Sequence, residues 1–298
     1  MKVIDAVGDL DFAPLSLPAR PAEVGVLMAD ADHFDVEYVI NPFMEGRIGS
    51  VDRPTARAQW AALRDTYARL GFEVHTLPSV EGLPDLVFMA NQSFPAQLPS
   101  GQWVALLSVM HSPQRRPEVE LVAGWYAKRG ARTLRMESGD ALIPFEGMGD
   151  AHWFPGRRLV VGGYGHRTAR EAYDRIAAVL DVPVIRVRLT DPRFYHLDTC
   201  LAPLDERTAL YVPSAFEPEG RALLERVFER LIEVPLDEAV GLLACNGHCP
   251  DGRHFIVQRG ATMTNQRVRD AGFEVIEVDT GEFLKSGGSV FCMKLMLP

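Results

Sequence analysis

Cysteine is scarce in this chain. Its four thiols in 298 residues, Cys200, Cys245, Cys249 and Cys292, have no disulfide-framework spacing, so a stapled secreted scaffold is excluded and the sulfurs read as reduced. Long apolar runs are also missing, and none approaches membrane-spanning length. The N-terminal stretch carries Asp5, Asp9 and Asp11 where a signal peptide needs unbroken apolar sequence, which points to an intracellular, cytoplasmic protein with no membrane partner. Positive charge is the minority, 31 Lys plus Arg against 40 Asp plus Glu, for a net charge of −9 and a pI near 5.4. Such a surface repels phosphate backbones, so nucleic acid is excluded as a partner. No Pro/Ser-rich linker or composition break interrupts the chain, and a single domain over residues 1–298 is expected.

What the sequence does have is core-forming material and a repeat. Hydrophobic residues make up 47% of the chain, with 15 Phe and 4 Trp, enough for a large core. Trp60, Leu63, Tyr67 and Leu70 recur at helical spacing over Thr55 to Leu70, and Gly71 follows as a helix-ending glycine before the strand-like FEVHTL. The same helix-to-strand transition recurs over Pro117 to Arg129, Ala169 to Leu180, Gly220 to Leu231 and Asn265 to Ala271. Five such units indicate a repeated supersecondary block.

A short distance past each junction, polar residues interrupt otherwise apolar sequence: Asn91, Glu146, His196 with Asp198, Cys245 with Asn246, and Cys292. Any one of these alone is an ordinary satisfied polar residue. Asn, Glu, His and Cys at corresponding places in successive repeats are harder to dismiss, because repeats arranged about an axis point equivalent positions at one centre.

Their chemistry is coherent. A thiol becomes a good nucleophile as thiolate, which needs a base or cation nearby, and His196 is the only histidine at an analogous repeat position, so Cys292 pairs with His196. Cys292 follows Gly287 and Gly288, which permit close backbone approach to a ligand, and Val290 with Phe291 reads as a short buried strand. His196 and Asp198, two apart on a strand, project from one face. With Glu146 they form an acidic pocket suited to a planar cation such as a guanidinium, which carboxylates hold through charge-assisted hydrogen bonds.

These motifs resemble the guanidine-modifying enzymes: arginine deiminases, dimethylarginine dimethylaminohydrolases, arginine dihydrolases and amidinotransferases. The resemblance runs from FDVEYVINPFM through DLVFMANQSF, FEGMGD, GGYGHRT and FYHLDTC to GGSVFCMKL, nearly the whole chain. It implies an α/β fold, a five-bladed α/β propeller (pentein) with pseudo-fivefold repeats, and a cofactor-free hydrolase without a bound metal. It implies that Cys292 attacks the guanidinium carbon, that His196 serves as acid and then base, that Glu146 and Asp198 hold the guanidinium nitrogens, and that Arg167 grips the substrate carboxylate. Asn91 in FMANQ, where deiminases and dimethylaminohydrolases usually carry an acidic residue, and Asn41 in INPFM look more like the dihydrolase branch. The lengthened EGMGD leaves the role of Asp150 as a substrate-binding residue open, and Arg115 or Arg116 is either a second carboxylate clamp or surface charge.

The substrate class implied is a small arginine-like guanidine, methylated or not. Transfer of the amidino group to a second amine competes with hydrolysis, and the sequence is silent on oligomeric state, with a homo-oligomer compatible. A different class of function is zinc binding by Cys245, His248 and Cys249 with His254 nearby, although the spacing matches no standard zinc signature. A non-catalytic interaction role is the remaining alternative.

Overall fold

The computed structural model describes residues 2–298. The first predicted helix spans Arg53–Arg69. Asp52 caps it by accepting from the Thr55 amide at 2.8 Å, and its buried face carries Ala56, Trp60, Leu63 and Tyr67. Gly71 ends it with φ +91°, a left-handed conformation that glycine adopts without strain. The chain then enters the strand Glu73–Leu77, which lies parallel to the fully buried strand Gly25–Ala29.

This arrangement repeats. In each repeat a short first strand pairs antiparallel with a second, which leads through a helix to a third strand parallel to the second. Ser93–Gln97, Trp103–Leu107 and Arg132–Arg135 form one such unit around the helix Arg116–Ala127. Ala151–Trp153, Val160–Tyr164 and Val184–Arg188 form the next around Ala172–Leu180. Leu201–Pro203, Thr208–Tyr211 and Arg230–Glu233 form another around Pro218–Val227. His254–Gln258 and Glu274–Val278 flank the helix Thr262–Asp270, with the first strand reduced to an antiparallel bridge between His248 and Ile256. The first strand of the Gly25–Ala29 unit comes from the far end of the chain, Leu295–Leu297. Each parallel pair needs a crossover, and the helix supplies it.

All five predicted helix-to-strand units are present in this α/β fold, with shifted boundaries. The helix read over Gly220 to Leu231 ends at Val227, because Phe228 is extended and Leu231 already belongs to the strand Arg230–Glu233. Buried apolar side chains form two clusters. One joins the N-terminal units to the C-terminal segment and includes Cys292, and the other is centred on residues such as Phe154, Phe194, Leu210 and Phe255. No helix among the described residues is long and apolar enough to cross a membrane.

Candidate active site

The segment just before each first strand is a single tight turn, and these turns carry the polar residues singled out in the sequence. Met89–Asn91 is a 3-10 turn ending on Asn91, Glu146 starts the one-turn helix Gly147–Asp150, and His196 precedes the 3-10 turn Leu197–Thr199 that holds Asp198. Two expectations are corrected here. Asp198 does not share an extended strand with His196, and Val290 with Phe291 does not form a strand. Cys292 sits in a turn in which the Met293 amide donates to the Ser289 carbonyl at 3.2 Å. A turn gathers consecutive donors and acceptors on one side, which a strand cannot do. Gly147, at φ +56°, is needed because a Cβ there would meet the carbonyl oxygens of Ser93, Ala90 and Asn91 at 2.6 to 2.8 Å.

Cys292 and His196 line one narrow cavity together with Asn41, Asn91, Asp85, Arg115 and Arg167. They do not hydrogen-bond to each other. Instead there are two pairs. The Cys292 thiol donates to Asp198 Oδ2 at 3.2 Å and accepts from Asn246 Nδ2 at 3.2 Å, while His196 Nε2 lies 2.6 Å from Glu146 Oε2. His196 Nδ1 faces Asn91 Nδ2 at 3.5 Å.

Burial would raise the Glu146 carboxyl, but the hydrogen bond and charge of His196, with Arg167 and Arg115 beyond, outweigh it and hold the group well below the usual carboxylate range. Glu146 Oε1 also accepts from the His111 amide at 2.9 Å. Asp198 behaves oppositely. Burial pushes it up to about 7, only partly offset by the Cys292 contact and the Lys294 charge. Cys292 is raised well above its ordinary value by burial and then by the neighbouring Asp198.

Asn246 shapes the nucleophile turn. Its side-chain oxygen accepts from the amides of Ser289 and Cys292, at 3.1 and 3.3 Å, and its backbone carbonyl accepts from Phe291 at 2.9 Å. Arg167 lies 3.5 Å from Glu146, donates to the Ile40 carbonyl at 2.6 Å and stacks over Tyr195. Asn41 lines the cavity with its amide already committed, donating to the Ser286 carbonyl at 3.0 Å and accepting from Phe43 at 3.0 Å. Asp150 does not line the cavity. One of its oxygens accepts from the Leu197 amide at 3.0 Å and the other from the Thr168 hydroxyl at 2.6 Å.

The sequence reading missed Asp85, which lines the cavity, accepts from Ser286 through Oδ1 and has a buried Oδ2 with no partner. It also left Arg115 open between clamp and surface charge. Arg115 is buried, bridging Glu118 at 2.9 Å and donating to Asn91 Oδ1 at 2.9 Å, whereas Arg116 donates to the Met110 carbonyl outside the cavity. Only the acidic and basic residues clustered in DLVFMANQ and RRPEVE hinted at such a pair. For the zinc alternative, Cys245 is fully buried, His248 bonds Tyr67 and His254 pairs with Asp251 at 2.6 Å, and the described residues contain no group of three or more His, Cys, Asp or Glu arranged to hold a metal ion.

Residues 40–297 match the family model described as N,N dimethylarginine dimethylhydrolase, eukaryotic. The chain belongs to that family. It is therefore a member of the guanidine-modifying superfamily expected from its motifs. It is 38% identical, over 95% of its length and 89% of the relative's, to the N(G),N(G)-dimethylarginine dimethylaminohydrolase of Mycobacterium tuberculosis. It is also 35% identical to the bifunctional arginine dihydrolase/ornithine cyclodeaminase ArgZ of Synechocystis, covering 92% of this chain but 37% of that protein. A crystal structure of the N-terminal domain of an ArgZ variant, covalently bound to a reaction intermediate, superposes with a TM-score of 0.84 at 34% identity, covering 93% of this chain and 98% of that one.

Proposed function

We propose that this member of the dimethylarginine dimethylhydrolase family hydrolyses the guanidinium group of arginine or an N-methylated arginine, with Cys292 attacking the guanidinium carbon. The observation that carries the reading is the kind of polar capacity left over beside the thiol. Asp198 Oδ1 is a buried acceptor without a donor, and Asp85 Oδ2, in the same cavity as Cys292, has only the Tyr38 hydroxyl near it. A planar cation with N–H groups along its edges supplies what they lack.

In this mechanism the Cys292 proton passes to solvent as the cation enters, where the released ammonia or amine later takes it up, because a positive charge beside the sulfur favours the thiolate over the thiol. The sulfur forms a bond to the guanidinium carbon, and His196, as imidazolium held by Glu146, protonates the departing nitrogen as the C–N bond breaks. Neutral His196 then takes a proton from a water that attacks the same carbon. The C–S bond breaks, the thiol returns and a ureido product is left. Arg167 is the partner for the substrate carboxylate once it exchanges its contact with Glu146. Asn91, beside His196, and Asn41 support a second hydrolysis of the ureido product, the dihydrolase outcome that the ArgZ likeness suggests.

The same reading takes the five repeat units as blades of a five-bladed α/β propeller in one domain, in keeping with the contacts that Asp198 and Asn246, from two other units, make with the Cys292 sulfur. Purified protein incubated with arginine, dimethylarginine, agmatine and citrulline, with ammonia, methylamines, citrulline and ornithine followed, tests the proposal. Release of ammonia or methylamine from arginine or its methylated form supports it, with ornithine marking the two-step outcome. Inertness toward both substrates would remove it.

A further inference from the structure

A second, broader cavity is lined by Arg20, His152, Trp153, His248, Cys249 and Phe291, none of which borders the Cys292 cavity. Its polar balance is the reverse of the active-site cavity. Both ring nitrogens of His152 are buried without a partner, as is Arg20 Nε. Lys294 is fully buried with its Nζ unpartnered, 3.2 Å from the centroid of the Phe291 ring. The rings of His152 and His248 also pack on Phe291, at 4.7 and 5.5 Å. His248 Nδ1 is taken by the Tyr67 hydroxyl at 3.0 Å, leaving the other ring nitrogen for the cavity.

The carboxylates at this cavity are already engaged. Glu23 pairs with Arg20 at 3.2 Å, Glu206 with Arg157 at 3.1 Å and Asp251 with His254 at 2.6 Å, and Asp205 accepts from the amides of Arg207 and Thr208. What remains is donor capacity: the His152 ring nitrogens, Arg20 Nε and Lys294 Nζ have no hydrogen-bond partner, although the Glu23 charge acts on both Arg20 and Lys294. Buried polar groups are ordinarily satisfied, so such a surplus calls for a ligand of opposite character. A metal ion is the wrong occupant, since the described residues hold no cluster of three metal-binding side chains.

We propose that this cavity binds a small oxyanion, a carboxylate or phosphate group, held by the His152 and His248 imidazoles and the Arg20 guanidinium, with Lys294 behind Phe291 as the buried counter-charge. The present electrostatics agree with an unfilled demand. Burial pushes Lys294 down to about 7, only partly offset by the Glu23 charge, and pushes His152 down to about 3, where the Lys294 charge depresses it further; an anion beside them would favour the charged form of both. The site has its own cavity but shares Lys294 with the surroundings of Cys292, since the Lys294 charge also acts on Asp198.

Titration of the full chain with inorganic phosphate, and separately with acetate, tests this through the imidazole nitrogen resonances of His152 and the thermal midpoint. The expected result is a saturable shift of the His152 nitrogens and a raised midpoint, both abolished in Lys294→Met. Because removal of a buried lysine can disturb folding, Arg20→Gln at the cavity rim provides a second variant, expected to weaken binding by roughly tenfold. A response to only one anion still supports the site and identifies its source as phosphate or carboxylate. Absence of a saturable His152 shift with both anions, or an undiminished response in Arg20→Gln, overturns it.

Discussion

Arg115 Nη1 donates to Asn91 Oδ1 at 2.9 Å, and this bond decides which way the Asn91 amide faces. Arginine has no acceptor, so the amide oxygen must point to Arg115 and the Nδ2 donor to His196 Nδ1. Neutral His196 is thereby set as the tautomer with its proton on Nε2, toward Glu146. Nitrogen-15 NMR of the unliganded protein is expected to show a protonated Nε2 and an unprotonated Nδ1 in the neutral ring. Arg115→Met, which leaves Glu118 buried without its partner, is expected to lower unfolding free energy by about 3–5 kcal/mol, read from urea denaturation.

The Cys292 and Asp198 pair makes a prediction with opposite signs in two assays. The negative charge of Asp198 helps hold the thiol above its ordinary value, so Asp198→Asn lowers the thiol value and moves the pH midpoint of iodoacetamide alkylation down. The same substitution removes the proposed acceptor for the guanidinium, so kcat/KM is expected to fall by on the order of 100-fold despite the easier thiolate.

Much of this was legible in the sequence, for reasons that differ from element to element. The helix ahead of Gly71 showed itself because a 3.6-residue apolar stripe and a left-handed glycine are both local signals. Cys292, His196, Glu146, Asn91 and Asp198 stood out because each interrupts an apolar stretch at the same point of a repeat. What stayed hidden depended on contacts distant in the chain. Asp85 meets Ser286, Arg115 meets Asn91, and Asn246 braces the turn around Cys292, and none of these pairs has a local pattern. The strand read at Val290 and Phe291 failed because two apolar residues fit a buried turn as well as a strand.

Asp150 joins the two turns that carry the hydrogen-bonded pair His196 and Glu146. Thr168 accepts from the Glu146 amide at 3.1 Å and donates to Asp150, which on its other side accepts from the amide following His196. Asp150→Asn is expected to lower kcat without direct substrate contact and to cost about 1–3 kcal/mol of stability. Burial pushes the Asp150 carboxyl up to about 7 from 3.8. A raised carboxyl favours folding most below its unfolded value and loses that contribution as pH climbs through the folded one, so this group's share declines from pH 4 to pH 7. The stability deficit of Asp150→Asn, measured by denaturation at both pH values, is accordingly larger at pH 4.

Gly149 is a test of tolerance beside Asn91 and His196. A Cβ there would lie 2.3 Å from Asn91 Nδ2 and 3.5 Å from the His196 ring, and Arg115 prevents the amide from swinging away freely. Gly149→Ala is expected to reduce kcat by roughly 10- to 100-fold through displacement of Asn91. Steady-state kinetics beside a thermal melt distinguishes this from global unfolding.

The most direct measurement is capture of the covalent intermediate. Protein turning over arginine or dimethylarginine is quenched in acid, digested and analysed by mass spectrometry, alongside Cys292→Ala. The account predicts a substrate-derived adduct on the peptide carrying Cys292, with no adduct and no turnover in a Cys292→Ala protein that keeps its fold. Near-wild-type turnover by Cys292→Ala, or an adduct confined to Cys200, Cys245 or Cys249, would contradict it.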